Sequence, residues 1–306
     1  MRHRRRGDSA GARLALAVIS ASFSGPILRW GAGPPMVVAA GRMLLSFALA
    51  LPPALALWRR GGAAALGIRR AVALPMVVAT VMLALHFAAW TAGVYLSSVT
   101  SAVVMVNAHP LVVLAVEALL WRQPVRPRQW GGAVVALAGL VFVGGADAFA
   151  RGGQAFAGDA LAFAGAATYA VYVLSSARVR VSVPTSVQVA VLYGGSLVLL
   201  GLGVLLLGER WPSPWLAGRL WLSFVLMALI PTTLGHTMVQ SILDRVRPGV
   251  VSVALLGEPV GASLLAWAFL HQTPSAGDII GGALTLTGIA LALWPEGELT
   301  TAPLAT

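Results

Sequence analysis

Long apolar stretches, separated by short segments rich in Arg, Pro, Gly and Trp, run through the whole chain. A membrane-spanning α-helix needs about 20 mostly apolar residues. Ten stretches approach that length, and they lie at residues 14–31, 36–57, 72–95, 100–120, 129–146, 159–177, 185–207, 220–243, 249–270 and 277–294. Because the connections are short, the pattern predicts an all-α polytopic membrane protein of ten transmembrane helices with no separate soluble domain.

The composition narrows the class of protein further. Of 306 residues, 58% are hydrophobic and 10% are charged, with a mean hydropathy of +0.85, whereas a soluble domain is about 25% charged. The chain has no Cys, which excludes disulfides and thiolate chemistry. A net charge of +11 would favour a nucleic-acid partner in a soluble protein. In a hydrophobic chain it indicates loops facing an anionic leaflet, so the lipid bilayer is the expected partner and nucleic acid is not.

The distribution of Arg between the connecting segments predicts the orientation. With a cytoplasmic N-terminus, sixteen Arg fall on the cytoplasmic side and four on the outer side, while Arg42 lies within a predicted span. Cytoplasmic loops carry the excess of basic residues, so we expect both termini in the cytoplasm of a cell (plasma) membrane protein. The N-terminal MRHRRR before an apolar run also fits a secretory signal peptide, but the repeat described next uses this segment as a structural helix.

An internal duplication runs from the first predicted helix to the tenth. A single offset of 149 residues aligns the pairs Arg29/Arg178, Pro35/Pro184, Pro110/Pro259, Gln123/Gln272, Gly132/Gly281 and Gly139/Gly288. The chain is therefore divided into two five-helix units, residues 1–146 and 147–306. Because five is odd, the second unit enters the membrane from the opposite side. Inverted repeats of this kind are typical of secondary transporters that work by alternating access.

Two segments carry a recognisable pattern: residues 97–145 and 249–293 each hold a helix with a central Pro, a polar turn, then Gly-Gly and a later Gly. Together with Arg42 in AAGRMLLS, this pattern resembles the EamA family of the drug/metabolite transporter superfamily. The resemblance implies a membrane transporter and favours export over import. Family members commonly carry Glu where this chain has Gln123 and Gln272, so an end-capping or gating ion pair assumed from the family loses its acid in both halves.

Ionisable groups inside a bilayer are expensive, and they are candidates for function. Glu258 precedes Pro259 near the midplane, where it could bind a substrate amine or a proton, or remain a protonated structural residue. His109 precedes Pro110 and aligns with Glu258 at the same offset. A neutral packing role is the alternative for this His. Both prolines are predicted to break their helices, because proline removes a backbone donor.

The remaining candidates are polar or aromatic residues within predicted spans. Arg42 could meet a substrate carboxylate or hold the bundle together, and Glu117, near Arg122, is expected in an ion pair at the membrane rim. The others are candidates for lining a transport path or for packing between helices: His86 and His236, which are 150 residues apart, Trp90, Asn107, Gln240, Tyr169 and Tyr172.

These features favour a transporter of small organic solutes, most of all an exporter of amino acids or related metabolites. A zwitterion needs one acid and one base, for which Glu258 and Arg42 are available. Efflux of cationic drugs is the alternative, and phosphorylated substrates are disfavoured because Arg42 is the only cation predicted within a span. No motif for a metal, ATP, another cofactor or an intramembrane enzyme is present. Proton coupling and facilitated diffusion both remain open, as does the oligomeric state.

Overall fold

A computed structural model describes residues 2–31, 33–97, 99–148, 153–211, 213, 218–270 and 276–293. All regular elements in these ranges are helical. The α-helices are α1 (Arg2–Ser22), α2 (Ser24–Gly31), α3 (Pro35–Gly61), α4 (Arg70–Leu96), α5 (Val99–Val106), α6 (His109–Leu119), α7 (Pro127–Ala148), α8 (Gly153–Arg180), α9 (Thr185–Leu206), α10 (Gly218–Met227), α11 (Thr237–Ile242), α12 (Pro248–Leu255), α13 (Glu258–Leu270) and α14 (Ala276–Leu293). A 3₁₀-helix covers Ala63–Leu66, and a π-helix, Ala228–His236, joins α10 to α11.

Six helical segments in the described ranges are long and apolar enough to cross a membrane. They are Ala10–Gly31, Pro35–Gly61, Arg70–Leu96, Phe156–Arg180, Thr185–Leu206 and Gly218–Ile242, and shorter apolar helices occur at His109–Leu119, Pro248–Ala262 and Ile279–Leu293. The stretches predicted as the fourth and ninth spans are each divided into two helices, so neither half reaches the length of a span alone. The count of ten membrane crossings therefore stays a prediction.

The two divided stretches break at equivalent places. Asn107–Ala108 separates α5 from α6, and Leu256–Gly257 separates α12 from α13, which is the same pair of positions at the offset of 149. Each new helix begins with His109-Pro110 or with Glu258-Pro259. Proline has no N–H to donate, and its ring clashes with the carbonyl four residues earlier. The duplicated proline accounts for both breaks, and it places a His and a Glu at the start of the new helices.

Helices α7 and α14 pack against each other through small residues. The backbone at Gly132 is so close to Gly288 that a Cβ there would lie 2.5 Å from the Gly288 carbonyl oxygen, and Gly139 approaches Gly281 equally closely. Thr285 donates from Oγ1 to the carbonyl oxygen of Ala136 at 3.2 Å, and these two residues are themselves equivalent. Residue numbers increase along α7 in the direction in which they decrease along α14, so these two equivalent helices run antiparallel.

The pair α3 and α9 shows the same relation. Phe47 packs on Gly194, and Met36 packs on Gly203, so these equivalent helices are also antiparallel. Antiparallel contact between equivalent helices means that the symmetry axis lies perpendicular to them, as an inverted repeat requires. Other large contacts also cross between the repeats, since α4 packs along α8 and α1 packs on the π-helix and α13. The space between the repeats is where the polar side chains meet.

Candidate functional site

A small cavity lies at the centre of the bundle, between the two repeats. Its walls come from α1, α2, α3, α4, α8, the π-helix, α11 and both broken stretches. About 50 Å³ of it is open to the centre of a water molecule, which is room for roughly three waters. Eight of the residues predicted from the sequence line it: Arg42, His86, Trp90, Asn107, His109, Tyr169, His236 and Glu258.

The guanidinium of Arg42 is held by a hydrogen bond at Nε and by an aromatic ring against its face, while its Nη2 has no partner among the described residues. Its Nε donates to Oγ1 of Thr232 at 2.6 Å, and its central carbon lies 4.2 Å from the centroid of the Phe87 ring. Arg42 is only 2% exposed, and its Nη2 has no hydrogen-bond partner among the described residues. An edge of the guanidinium therefore remains available to an acceptor inside the cavity.

Glu258 is the first residue of α13, directly after the break at Leu256–Gly257. Among the described residues its carboxylate has no hydrogen-bond or ion-pair partner, although Arg42 is near enough to interact with it electrostatically. The N-terminus of a helix stabilises negative charge, which helps to hold a carboxylate at this position. The cavity thus contains an acid and a base that leave each other's hydrogen-bonding groups free.

Two of the cavity histidines are oriented by backbone carbonyls. Nδ1 of His86 lies 2.9 Å from the Gly165 oxygen, and Nδ1 of His109 lies 3.0 Å from the Val106 oxygen. A carbonyl only accepts, so Nδ1 carries the hydrogen in each ring. In the neutral rings Nε2 is then an acceptor, and that of His109 is buried without a described partner.

Aromatic rings surround these histidines. The ring centroid of Tyr169 lies 4.7 Å from that of His109, 4.9 Å from that of His86 and 5.9 Å from that of His236. Phe87 lies 5.3 Å from His236 on the other side. The cavity wall therefore presents an apolar, aromatic surface beside its charged and polar atoms.

Several polar atoms of the cavity residues are buried with no described partner. Asn107 donates from Nδ2 to the Val103 oxygen at 2.8 Å, but its Oδ1 is unsatisfied. The same holds for Nη2 of Arg42, Nε2 of His109 and Nδ1 of His236. An unsatisfied buried polar group costs about 1–3 kcal/mol, so several around one cavity point to a polar occupant that satisfies them.

Tyr172 and Gln240, for which the sequence left cavity lining and helix packing both open, lie beside the cavity and are not among its lining residues. Gln240 donates from Nε2 to the hydroxyl of Tyr172 and accepts at Oε1 from Nε2 of Gln188 at 3.0 Å. Tyr193 and Thr237 share a further hydrogen bond of 2.9 Å. These hydrogen bonds connect α8, α9 and α11 beside the cavity, and the layer supports the cavity wall. The prolines Pro110 and Pro259 likewise act through the breaks and are not part of the lining.

Sequence reasoning missed Thr232 and Phe87, the two residues that hold Arg42. Neither is ionisable, and both lie in apolar stretches where depth in the membrane gives no signal. One indirect signal exists, because His86 and His236 are 150 residues apart while the repeat offset is 149. One extra residue is what a π-helical turn inserts, and the π-helix that carries Thr232 ends at His236.

Glu117 forms the ion pair expected of it, but with a different partner from its neighbour Arg122. The side chain of Glu117 is fully buried, its Oε2 accepts from Nη2 of Arg247 at 3.1 Å, and its Oε1 accepts from the Gly249 N–H at 3.0 Å. This ion pair joins the two repeats. At Gln123, the side-chain oxygen is buried without a described partner, and Gln272 lies outside the described residues.

Comparison with known proteins decides the family. The model of the EamA-like transporter family matches residues 11–145 and 156–294, which cover most of both halves. The chain belongs to this family. A solved structure described only as "Crystal structure of protein" shares 25% sequence identity and a TM-score of 0.78, covering 94% of this chain and 97% of its own. No curated protein matches the chain.

Membership in the EamA-like family makes this chain a multi-pass membrane transporter of the drug/metabolite transporter superfamily. The two matched segments correspond to the two copies found by the offset of 149. Among the described residues, no group of His, Asp and Glu is arranged to hold a metal ion. For a transporter, the central cavity between the repeats is the expected place of substrate binding.

Proposed function

We propose that this EamA-like protein exports amino acids or related zwitterionic metabolites across the cell membrane. The two halves, 1–146 and 147–306, would act as inverted five-helix repeats in a ten-span bundle with both termini in the cytoplasm. One observation carries the substrate assignment. The guanidinium of Arg42, with a free edge, and the carboxylate of Glu258, with no hydrogen-bond or ion-pair partner among the described residues, line one central cavity.

The chemistry of the cavity suits a solute with one charge of each sign. The free edge of Arg42 can donate two parallel hydrogen bonds to a carboxylate, a geometry that Arg favours. Glu258 and the acceptors of His109 and Asn107 can receive the hydrogens of an ammonium group. The rings of Trp90 and Tyr169 offer an apolar surface to a side chain. Room for about three waters is less than an amino acid needs, so loading requires the repeats to move apart.

The experiment is counterflow in proteoliposomes, with each of the twenty proteinogenic amino acids as the trapped solute. We expect exchange of at least one amino acid by the wild type. Arg42→Gln and Glu258→Gln should weaken its exchange by about tenfold to a hundredfold, since hydrogen bonds to charged groups contribute about 1.5–3 kcal/mol. Arg219 provides the matched control, because it also stacks on an aromatic ring, Trp30 at 5.0 Å, but is exposed.

Two results would contradict the proposal. A wild-type protein that exchanges no amino acid removes the substrate class, and an Arg42→Gln variant as active as Arg219→Gln removes the carboxylate-binding role. A pH gradient imposed on the same vesicles separates proton coupling, through Glu258 or the histidines, from facilitated diffusion. Only coupled transport accumulates substrate against its own gradient.

Efflux of cationic compounds is the second candidate, favoured by a carboxylate beside aromatic rings. Trp90, Tyr169 and Glu258 line the same cavity, and cations bind to the faces of aromatic rings. The buried guanidinium of Arg42 opposes this function, because it repels a second cation. If cations are the substrate, Arg42→Gln should increase the uptake of tetraphenylphosphonium above its passive entry into protein-free vesicles, whereas amino-acid export predicts no uptake above that level by either form.

A further inference from the structure

The π-helix Ala228–His236 brings one hydroxyl to the guanidinium of Arg42 in a fixed orientation. In a π-helix each residue is paired with one five positions away, and here the Oγ1 of Thr232 donates to the Met227 oxygen at 2.8 Å. Thr233 makes the same bond to Ala228, also at 2.8 Å. The two neighbouring threonines therefore share their local structure and differ only in what lies across from them.

The hydroxyl of Thr232 can act only as an acceptor toward Arg42. It has one hydrogen, which it donates to Met227, so only its lone pairs are left to face Arg42. Thr232 is 0% exposed, so solvent water does not reach it to take its place. The Nε of Arg42 must therefore point at Thr232, and with Phe87 against its face the planar guanidinium has one orientation.

This contact joins the two repeats, with Arg42 in the first and Thr232 in the second, and it has no symmetric counterpart. The equivalent of Arg42 is Val191, at the offset of 149, and the residue 150 before Thr232 is Met82. The equivalent stretch of α4 is continuous α-helix. Each repeat thus contributes one feature that the other lacks: the first has the buried cation and the second has the π-helix.

We propose that Thr232 is a positioning residue that aims the free edge of Arg42 into the cavity and thereby makes transport depend on a substrate carboxylate. The inference rests on the proposed function, since it concerns the same cavity and the same Arg. The π-helix is the structural device behind it, because its wider turn places the hydroxyl of Thr232 against the Met227 oxygen, five residues earlier, and fixes the direction of its lone pairs. Without that hydroxyl the guanidinium is free to rotate about its side-chain bonds.

The test compares three variants in proteoliposomes, using counterflow of the transported amino acid and of its amide, which lacks the negative charge. Thr232→Val keeps the shape and removes the hydroxyl. We expect it to raise the KM for the amino acid about tenfold, while the weaker transport of the amide, which lacks the carboxylate that Arg42 binds, stays unchanged. Thr232→Ser keeps the hydroxyl and should behave as wild type. Thr233→Val removes the same bond to the helix backbone without touching Arg42, and it should also behave as wild type.

A double-mutant cycle separates positioning from a general structural effect. In an Arg42→Gln background, Thr232→Val should change the KM no further, because the group it positions is gone. The inference is overturned if Thr232→Val and Thr233→Val behave alike, if amino acid and amide lose transport equally, or if the two effects add. These outcomes leave amino-acid export standing, whereas a wild type without amino-acid exchange overturns both proposals. If Thr232→Val does not fold, Thr232→Ala and Thr232→Ser provide the same comparison.

Discussion

At the scale of single residues, the cost of polar groups in a bilayer explains why the sequence was informative. Arg42, His109 and Glu258 stand out in apolar stretches, and the structure brings all three to one cavity. Their partners were not predictable in the same way. Thr232 is an ordinary residue of an apolar helix, and its contact with Arg42 joins positions 190 residues apart. A charged or polar residue in an apolar stretch can be recognised from the sequence. Which distant residue it contacts depends on how the helices pack.

The ion pair between Glu117 and Arg247 gives a prediction at this scale. Glu117 is completely buried and Arg247 has a side chain 19% exposed, so Glu117→Gln leaves a cation without its counter-charge. Removing one partner of a buried pair costs about 3–5 kcal/mol, and partial exposure of Arg247 reduces that to about 2 kcal/mol. The measurement is the melting temperature in detergent, which should fall clearly.

Arg245→Gln is the matched control, because Arg245 also pairs with an acid, Asp244, at 3.8 Å, but with a side chain 46% exposed. Exposed pairs contribute about 0–1 kcal/mol, so its melting temperature should change little. Equal melting temperatures for the Glu117→Gln and Arg245→Gln variants would show that the buried ion pair does not tie the repeats together.

At the scale of helices, the positions of proline and glycine were the main basis for predicting helix breaks and close helix contacts. The pair Pro110 and Pro259 predicted interruptions, and the helices break immediately before the residue that precedes each proline. The π-helix could be inferred only indirectly, from the change of offset between His86 and His236. Pro231 lies inside this stretch, but a proline can also break a helix, as at Pro110, so it does not by itself specify a π-helix.

The contact between α7 and α14 predicts the effect of one methyl group. A Cβ at Gly139 would lie 2.5 Å from the Gly281 oxygen, while a Cβ at Gly131 in the same helix meets nothing within 4 Å. Gly139→Ala should therefore destabilise the protein by about 1–3 kcal/mol, as overpacking does. Gly131→Ala should be neutral or slightly stabilising, because Ala is the better helix former. Thermal unfolding in detergent measures both, and a stable Gly139→Ala variant would contradict this packing.

At the scale of the molecule, the duplication predicts a two-fold relation, and the antiparallel pairs of equivalent helices have that form. What the duplication could not predict is where the halves differ. Arg42 faces the cavity while its equivalent Val191 is 37% exposed, and the acid Glu117 has Ala266 as its equivalent. The backbone is related by a two-fold axis, but the charged side chains are not. A solute therefore meets different side chains in the two halves of the bundle. That combination is what a transporter with a preferred orientation of its substrate requires.

The inverted arrangement makes a prediction that the Cys-free chain is suited to test. Arg29 and Arg178 are equivalent at the offset of 149, and both are exposed. If each repeat crosses the membrane five times, equivalent residues lie on opposite sides, so Arg29→Cys should react with an impermeant maleimide from outside intact cells and Arg178→Cys only after the cytoplasm is opened. Detergent-solubilised protein should label at both positions, which controls for local reactivity. Labelling of both from the same side would mean an even number of crossings per repeat, and the two halves could then not exchange inward-open and outward-open conformations as alternating access by inverted repeats requires.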